Sequence, residues 1–496
     1  MEQIETRYET VIGLEVHIEL ATKTKIFCGC STKFGAMPNT QTCPVCTGMP
    51  GSLPVLNRQV VEYAIALGLA ANCEINRCCR FDRKNYFYPD NPQNYQISQL
   101  YLPICHDGEI EITLGTGEEE GAAEKDGEKS RVKKIRIHEM HMEEDAGKLI
   151  HEEEGDYSLV DYNRSGVPLI EIVSEPDMRT AEEVIAYLEK LCMICRYLGV
   201  SDCKLQEGSM RADVNLSVRE AGCEALGVRT EMKNLNSFRA ITRAIEAERI
   251  RQIGLLKEGK EVVQETRRWD DAGGVSYPMR SKEDARDYRY FPEPDVQPVM
   301  IFDEWIDEIR KREPEFQEAK AERYRKEFGL PAYDASVLTQ SRHIAELFEE
   351  TAVLCKNPKK AANWFMGETM RLLKEKEIEP ERLEFSPKHF ADLITAVEQG
   401  KINQANAQKV LAKIVEEDIE PLAYIKVQGL ESVSDESVIL SAVEEVLSEN
   451  PGGVAEFLAG KEKVFGFLVG QVMKKTKGMA DPGQVNELLK KRLRQG

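Results

Sequence analysis

The spacing of hydrophobic residues changes once along the chain, near Pro294, and that change restricts the fold more than any single motif. Before it, short apolar and polar alternations bounded by Pro and Gly recur at Val11–Leu20, Ile110–Leu114, Val132–Ile137, Leu169–Val173 and Arg211–Arg219. Two-residue alternation is the mark of half-buried strands. After it, apolar residues recur at three- and four-residue steps through 335–351, 358–374, 387–399 and 403–417, and strand signals nearly vanish. A second helical set follows at 437–448, 453–458, 463–474 and 484–494, separated by Asn450-Pro-Gly-Gly and Asp481-Pro-Gly. The pattern predicts an α+β chain. A β-rich body over 1–293 precedes an all-helical middle domain over 294–405 and a small helical tail domain over 406–496.

With 496 residues the chain exceeds what one core organises, which agrees with two to four domains. A formal charge of −20 argues against a general nucleic-acid coat. The sign reverses locally, however: from Pro451 to Gly496 there are nine Lys/Arg against four Asp/Glu. One basic end on an acidic chain is compatible with RNA held at that end. No run approaches the roughly 18 to 20 apolar residues of a membrane span, and the acidic start resembles neither a signal peptide nor a transit peptide. Thirteen cysteines, some adjacent, suit a reducing compartment, so the expected location is cytoplasmic. The charged, glycine-rich run Gly115–Ser130 is expected to be a mobile hairpin tip without chemistry.

Residues 81–99, Phe-Asp-Arg-Lys-Asn-Tyr-Phe-Tyr-Pro-Asp-Asn-Pro-Gln-Asn-Tyr-Gln-Ile-Ser-Gln, show neither period over most of their length. They read as a loop rather than a core segment. Five aromatics beside Arg83 and Lys84 suit a ligand with a flat ring and a phosphate or carboxylate.

Three segments gather carboxylates and imidazoles. On Val11–Leu20 the alternation places Glu15, His17 and Glu19 on one face, opposite Leu14, Val16, Ile18 and Leu20. Such a triplet is either a solvated face or part of a metal site. His141-Met-Glu143-Glu144-Asp145 concentrates negative charge that a cation would stabilise. Glu171 interrupts an otherwise apolar strand, and a buried carboxylate needs a partner. Oxygen-rich ligands with one His favour Mg²⁺ or Mn²⁺ over Zn²⁺.

Cys28-Gly-Cys30, twelve residues, then Cys43-Pro-Val-Cys46 can close a tetrahedral zinc site, or supply four small core thiols. Cys192-Met-Ile-Cys195 lies in a helix opened by Thr180-x-x-Glu183 and continues its core stripe, so packing is the expected role. Arg211, Asp213 and Asn215 share one face of their strand. With Lys233-Asn234, Glu265-Thr-Arg267-Arg268 and Asp287-Tyr-Arg289 they read as a solvated or salt-bridged surface, or together as cations for phosphate. No Gly-x-x-x-x-Gly-Lys-Ser/Thr loop, Gly-x-Ser-x-Gly elbow or kinase motif set is present.

In their order these segments resemble the B subunits of the aspartyl/glutamyl-tRNA amidotransferases. The resemblance rests on Val-Ile-Gly-Leu-Glu-Val-His, Phe-Asp-Arg-Lys-Asn-Tyr-Phe-Tyr-Pro-Asp, His-Met-Glu-Glu-Asp-Ala-Gly-Lys, Pro-Leu-Ile-Glu-Ile-Val-Ser-Glu-Pro-Asp, Lys-Asn-Leu-Asn-Ser-Phe, Asp-Tyr-Arg-Tyr-Phe-Pro-Glu-Pro-Asp and Gly-Phe-Leu-Val-Gly-Gln-Val-Met-Lys. It covers nearly the whole chain. It implies a cradle-shaped catalytic domain, a helical domain and a tRNA-contacting tail, in a heterotrimer with an amidase A subunit and a small C subunit. It further implies ATP-dependent phosphorylation of the side-chain carboxylate of misacylated Glu-tRNA(Gln) or Asp-tRNA(Asn). Ammonia released from glutamine by the amidase and delivered through a channel then displaces phosphate.

By the same resemblance Glu15, His17, Glu144 and Glu171 are the Mg²⁺ ligand candidates, and Glu144 is favoured over Glu143, a choice strand parity alone does not make. Lys84 corresponds to a polar residue at the exit of the ammonia channel, with Tyr86 and Asp90 as neighbours. Lys84 and Glu144 are the catalytic candidates. Arg83, Tyr86, Arg211, Asp213 and Lys233 are the candidates for holding ATP. Cys28, Cys30, Cys43 and Cys46 would bind a structural Zn²⁺, since some members lack them. The competing reading is a non-catalytic tRNA-binding scaffold subunit.

Overall fold

The computed structural model describes residues 7–115, 131–151, 155, 157–281, 288–432, 436–458, 461, 463–476, 480 and 482–495. Residues 116–130 of the expected hairpin tip Gly115–Ser130, and Asp287, lie outside them. The chain divides into two compact units, Met1–Pro314 and Glu315–Gly496. The β-rich body therefore runs past the expected limit at 293. Val299–Met300 still pairs with a strand of the first unit, and the helix Asp303–Arg310 packs on one of its helices.

The first unit begins with β1 (Tyr8–Glu19), α1 (Arg58–Ala70), β2 (Glu74–Ile75), β3 (Cys78–Asn85) and β4 (Tyr95–Leu102). Then come β5 (Cys105–Leu114), β6 (Arg131–Glu144), β7 (Lys148–His151), β8 (Ser158–Asp161), β9 (Pro168–Ser174) and α2 (Ala181–Leu198). β10 (Met210–Glu220), β11 (Thr230–Lys233), α3 (Phe238–Lys257), β12 (Glu265–Asp270) and β13 (Val275–Ser281) follow. The short β14 (Phe291–Pro292), β15 (Val299–Met300) and α4 (Asp303–Arg310) complete it.

Among the described residues nine strands form one sheet in the order β13-β12-β11-β10-β1-β9-β6-β5-β2, antiparallel except for the β11/β12 pair. β1 is the central strand, paired with β9 on one side and β10 on the other. Leu14, Val16 and Ile18 are buried, as are their neighbours Ile170 and Ile172 on β9 and Ala212 and Val214 on β10. That face meets the helices, shown by Cys192 Sγ of α2 against Met210 Sδ at 3.2 Å. Burying each such aliphatic side chain contributes about 1.5–3 kcal/mol, so the helices fix which face is left for chemistry. Their starts follow sequence: Asn57, Thr180 and Ser237 each cap a backbone N–H of α1, α2 and α3. Gly199 ends α2 in the left-handed region at φ 69°. Cys192 and Cys195 are buried in that helix, in its core stripe.

The segment 81–99 is not a loop throughout. β3 and β4 pair across it as a hairpin, and only 86–94 connects them. Phe81 and Ile97 are buried core residues. The strand signal was hidden because Asp82 is also buried, where it accepts hydrogen bonds from Leu100 N at 2.9 Å and Tyr101 N at 3.2 Å.

The second unit is helical: α5 (Gln317–Glu327), α6 (Ala332–Leu338), α7 (Arg342–Cys355), α8 (Pro358–Trp364), α9 (Met370–Glu375), α10 (Pro387–Glu398), α11 (Gln404–Glu417) and α12 (Pro421–Val427) share one core. The expected helix 335–351 is split because Ser341 starts a new one, capping Ile344 N. The expected boundary at 405/406 falls inside α11, whose Val410, Leu411 and Ile414 belong to this core. A separate small core begins at Ile439 and joins α13 (Glu436–Glu449), α14 (Pro451–Leu458), α15 (Lys463–Lys475) and α16 (Pro482–Gln495). Pro451 and Pro482 open α14 and α16, since a first-turn position needs no donor from proline. No helix among the described residues is long and apolar enough to cross a membrane.

Candidate active site and metal centre

On the sheet face away from the helices, strand pairing aligns a polar row. His141 on β6 is opposite Glu171 on β9, Glu171 is opposite His17 on β1, and His17 is opposite Arg211 on β10. Glu171 Oε2 lies 3.3 Å from His17 Nε2 and 3.2 Å from His141 Nε2. Glu143 joins from two residues along β6, with Oε1 3.6 Å from His17 Nε2 and Oε2 3.9 Å from His141 Nε2. Burial opposes charge on Glu171, yet the two imidazoles hold its carboxyl well below the usual range. Burial likewise works against the His141 cation, but Glu171 and Glu139 outweigh it and push the ring up to about 10. His17 is raised against burial by Glu171 and Glu143.

The predicted four-ligand set is therefore redistributed. His17 and Glu171 stand together as expected, but their second carboxylate is Glu143. Glu144, the next residue on an extended strand, points to the other side. There its Oε1 accepts hydrogen bonds from Ile97 N at 2.9 Å and from Gln93 Nε2. Burial pushes the Glu144 carboxyl up to about 8. It lines a separate cavity of about 300 Å³ with Cys46, Tyr95 and Asp295. Glu15 falls into a second group with Asp213 and Glu231. Lys233 lies within this group, bonded to Asp213 and 2.9 Å from Glu231 Oε1, and Asn215 Nδ2 donates to Glu15 Oε1 at 3.0 Å. Burial and the nearby Glu171 raise the Glu15 carboxyl.

Lys84 and Arg83, adjacent on β3, diverge. Lys84 faces the histidine row: burial disfavours its charge, but Glu143, Tyr290 and Glu171 raise it above the ordinary lysine value. Its Nζ sits 5.2 Å from the Tyr288 ring centre, and Tyr86 packs edge-on to Tyr288 at 6.3 Å. Burial, ahead of the charges of Asp90 and Glu143, raises the Tyr86 hydroxyl. Arg83 points away and is engaged. Its guanidinium donates to Glu293 at 2.6 and 3.0 Å and to Asp295 at 3.0 Å, and lies 4.1 Å from the Tyr95 ring centre. A cation held this way anchors the 293–295 segment to β3 rather than waiting for phosphate, so Arg83 leaves the nucleotide set.

Arg211, at the end of the row, donates to Asp145 Oδ2 at 2.8 Å. Burial and Asp145 together raise Glu19 to about 7. Arg267 bonds Ser276 Oγ at 2.7 Å and Glu265 and is buried, which makes it structural.

The four cysteines converge. Cys46 Sγ is 4.0 Å from Cys30 Sγ and 3.9 Å from Cys43 Sγ. A tetrahedron with bonds of about 2.3 Å has sulfur–sulfur edges of about 3.8 Å, so the set fits zinc with little movement. The Cys28 thiol, hydrogen-bonded to Cys46, pulls Cys46 down to about 4, while burial pushes Cys30 up to about 11. Lys25, fully buried, donates to Tyr162 O at 3.2 Å and lies on the Cys46 side, where its charge also favours a thiolate. Sequence reading missed Lys25, Glu231 and the pairing of His141 with Glu171. Glu143 and His141 were recoverable, since Glu139, His141 and Glu143 alternate once β6 is extended beyond Ile137.

The profile described as GatB/GatE catalytic domain matches residues 10–307, and that described as GatB domain matches 346–493. The chain is 60% identical over 482 residues to the B subunit of the aspartyl/glutamyl-tRNA(Asn/Gln) amidotransferase of Agathobacter rectalis, covering 97% of this chain and 98% of that one. It is 60% identical to the protein of the same name from Lachnospira eligens over 493 residues, 98% and 99% of the two chains. The Clostridium botulinum protein of the same name is 52% identical over 482 residues, 97% and 98% of the two chains.

Proposed function

For a chain that belongs to the family of aspartyl/glutamyl-tRNA(Asn/Gln) amidotransferase B subunits, we propose that the polar face of its nine-stranded sheet is itself the site of carboxylate activation. Its substrate is the side chain of glutamate or aspartate misattached to tRNA(Gln) or tRNA(Asn). One carboxylate oxygen attacks the γ-phosphorus of ATP and ADP leaves, giving an acyl phosphate. Ammonia, made from glutamine by a partner amidase, attacks the carbonyl carbon and phosphate departs with the C–O bonding pair. A carboxylate is a poor electrophile, and phosphorylation supplies the leaving group it lacks.

The observation that carries this reading is the row of His141, Glu171, His17 and Arg211 with Glu143 beside it and Lys84 facing it. His17, Glu143 and Glu171 would hold Mg²⁺, which when bound offsets phosphate charge. Lys84 and Tyr86 would line the place where ammonia meets the acyl phosphate. Asp213, Lys233 and Arg211 stand where the nucleotide's phosphates would lie. The Cys28, Cys30, Cys43 and Cys46 group would hold zinc as a brace. The C-terminal helices, with their cations, would contact tRNA, and a small third subunit would complete a cytoplasmic heterotrimer.

The test uses the chain assembled with its amidase and small subunits, ATP, glutamine and misacylated tRNA. His17→Ala is expected to abolish both phosphate release and amide formation while tRNA binding persists. Unchanged phosphate release in that variant would overturn the proposal.

A further inference from the structure

Two imidazoles flank Glu171, and the metal reading above uses only one of them. His17 Nε2 and His141 Nε2 lie 3.3 and 3.2 Å from the same atom, Glu171 Oε2, and both also face Glu143. By those distances alone the rings are interchangeable as ligands. Their surroundings separate them. His141 is 7% exposed, and its Nδ1 is buried without a hydrogen bond among the described residues. What faces that nitrogen is Glu139 Oε1, 3.4 Å away as an ion pair. Glu139 precedes His141 by two residues on β6, so strand parity puts both on the polar face. Neither residue has a role so far.

A ring with a carboxylate at each nitrogen is called on to donate at both. Neutral imidazole carries a single N–H, so its other nitrogen would turn a lone pair toward a carboxylate oxygen. The doubly protonated ring satisfies both sides, and it then has no lone pair left for a metal. The three-donor group agrees with this division: ligand atoms of His17, Glu143 and Glu171 lie within 4.8 Å of one another, and His141 is not among them. What His141 touches instead is the ligand Glu171. An N–H held against Oε2 fixes how that carboxylate is turned, and groups that orient a ligand in this way set metal affinity nearly as strongly as the ligands do. The cation also offsets the mutual repulsion of Glu139, Glu143 and Glu171, which lets the carboxylates stand together before a metal arrives.

We propose that Glu139 and His141 are a positioning pair: His141, held by Glu139, donates through Nε2 to Glu171 and aims that carboxylate at the metal it shares with His17 and Glu143. The assignment rests on the metal reading above. Mn²⁺ added to the full-length chain is the probe, with spin resonance reading affinity and spin-echo modulation reading ligating nitrogen. The wild type is expected to show one imidazole nitrogen, absent in His17→Ala, and this signal separates the site from the all-carboxylate group at Glu15. His141→Ala should bind Mn²⁺ about tenfold or more weakly yet keep the nitrogen signal. His141→Gln puts an amide N–H near the place of Nε2 and should restore affinity to within about threefold, whereas His141→Asn, which reaches only the Nδ1 side, should not. Glu139→Gln should weaken binding about threefold and decides the matter if the His141 variants do not fold. Two nitrogens in the wild type, or a signal lost in His141→Gln, would make His141 a ligand and overturn the proposal. Wild-type affinity in folded His141→Ala, or equal affinities in the Gln and Asn variants, would overturn it as well. A wild-type chain whose Mn²⁺ shows no nitrogen overturns the metal reading itself and the positioning pair with it.

Discussion

Glu143 and Glu144 are consecutive, yet Glu143 lies 3.6 Å from the His17 ring while Glu144 accepts a hydrogen bond from Ile97 N on the other side of its strand. The two carboxylates serve different environments, and substitution separates them. Glu143→Gln and His17→Ala are each expected to weaken Mn²⁺ or Mg²⁺ binding to the isolated chain by about tenfold or more, because each removes one of three donors. Glu144→Gln should leave it within about twofold. Calorimetric or spin-resonance titration reads all three, and a reversed order would return Glu144 to the metal.

Arg83 and Lys84 make a second such pair. Arg83 holds Glu293, which is 3% exposed, so Arg83→Ala strands a buried carboxylate and should cost about 3 kcal/mol in a denaturant melt. Lys84 makes its contacts with the site and an aromatic ring. Lys84→Ala should leave the melt nearly unchanged while lowering amide formation by about tenfold or more. Equal melts for the two variants would contradict the assignment.

Much of this was legible because strand parity and helix period are local. Glu15, His17 and Glu19 were assignable to one face from β1 alone, and Glu171 stood out by interrupting an apolar strand. The division into a β-rich body and a helical remainder followed from the change of period near Pro294. What was not legible depends on which strands become neighbours. Nothing in β6 states that His141 will face Glu171, and nothing in β11 that Glu231 will meet Glu15. The hairpin at 81–99 was hidden because the polar Asp82 is buried and satisfied by backbone donors that only folding supplies. Arg83 read as a free cation because its partners, Glu293 and Asp295, lie some two hundred residues away.

The cysteine group is tested by metal removal. Protein purified without added metal should carry near one zinc per chain at this group, and Cys46→Ser should lose it. A chelator should then expose reactive thiols and lower the melting temperature of the first unit, since binding free energy of a structural metal is folding free energy. Absence of zinc, with unchanged stability in Cys46→Ser, would mean that the four thiols simply pack.

Glu144 also sets a pH dependence. Burial raises its folded pKa to about 8, above the ordinary 4.5. A group raised in this way binds its proton more tightly in the folded chain, so its stabilising contribution is complete at acid pH and is lost as pH rises through 8. Glu144→Gln keeps an acceptor for Ile97 N but removes the titration. Near pH 5 the variant and wild type should melt alike, and by pH 8.5 the variant should be the more stable, by at most about 5 kcal/mol for a shift of this size. Glu19, raised to about 7, and His141, raised to about 10, titrate in both proteins, so the informative quantity is the difference between the two melting curves. A difference that stays constant from pH 5 to 8.5 would show that Glu144 is already ionised in the folded chain, held by Gln93 and Ile97 strongly enough to outweigh burial.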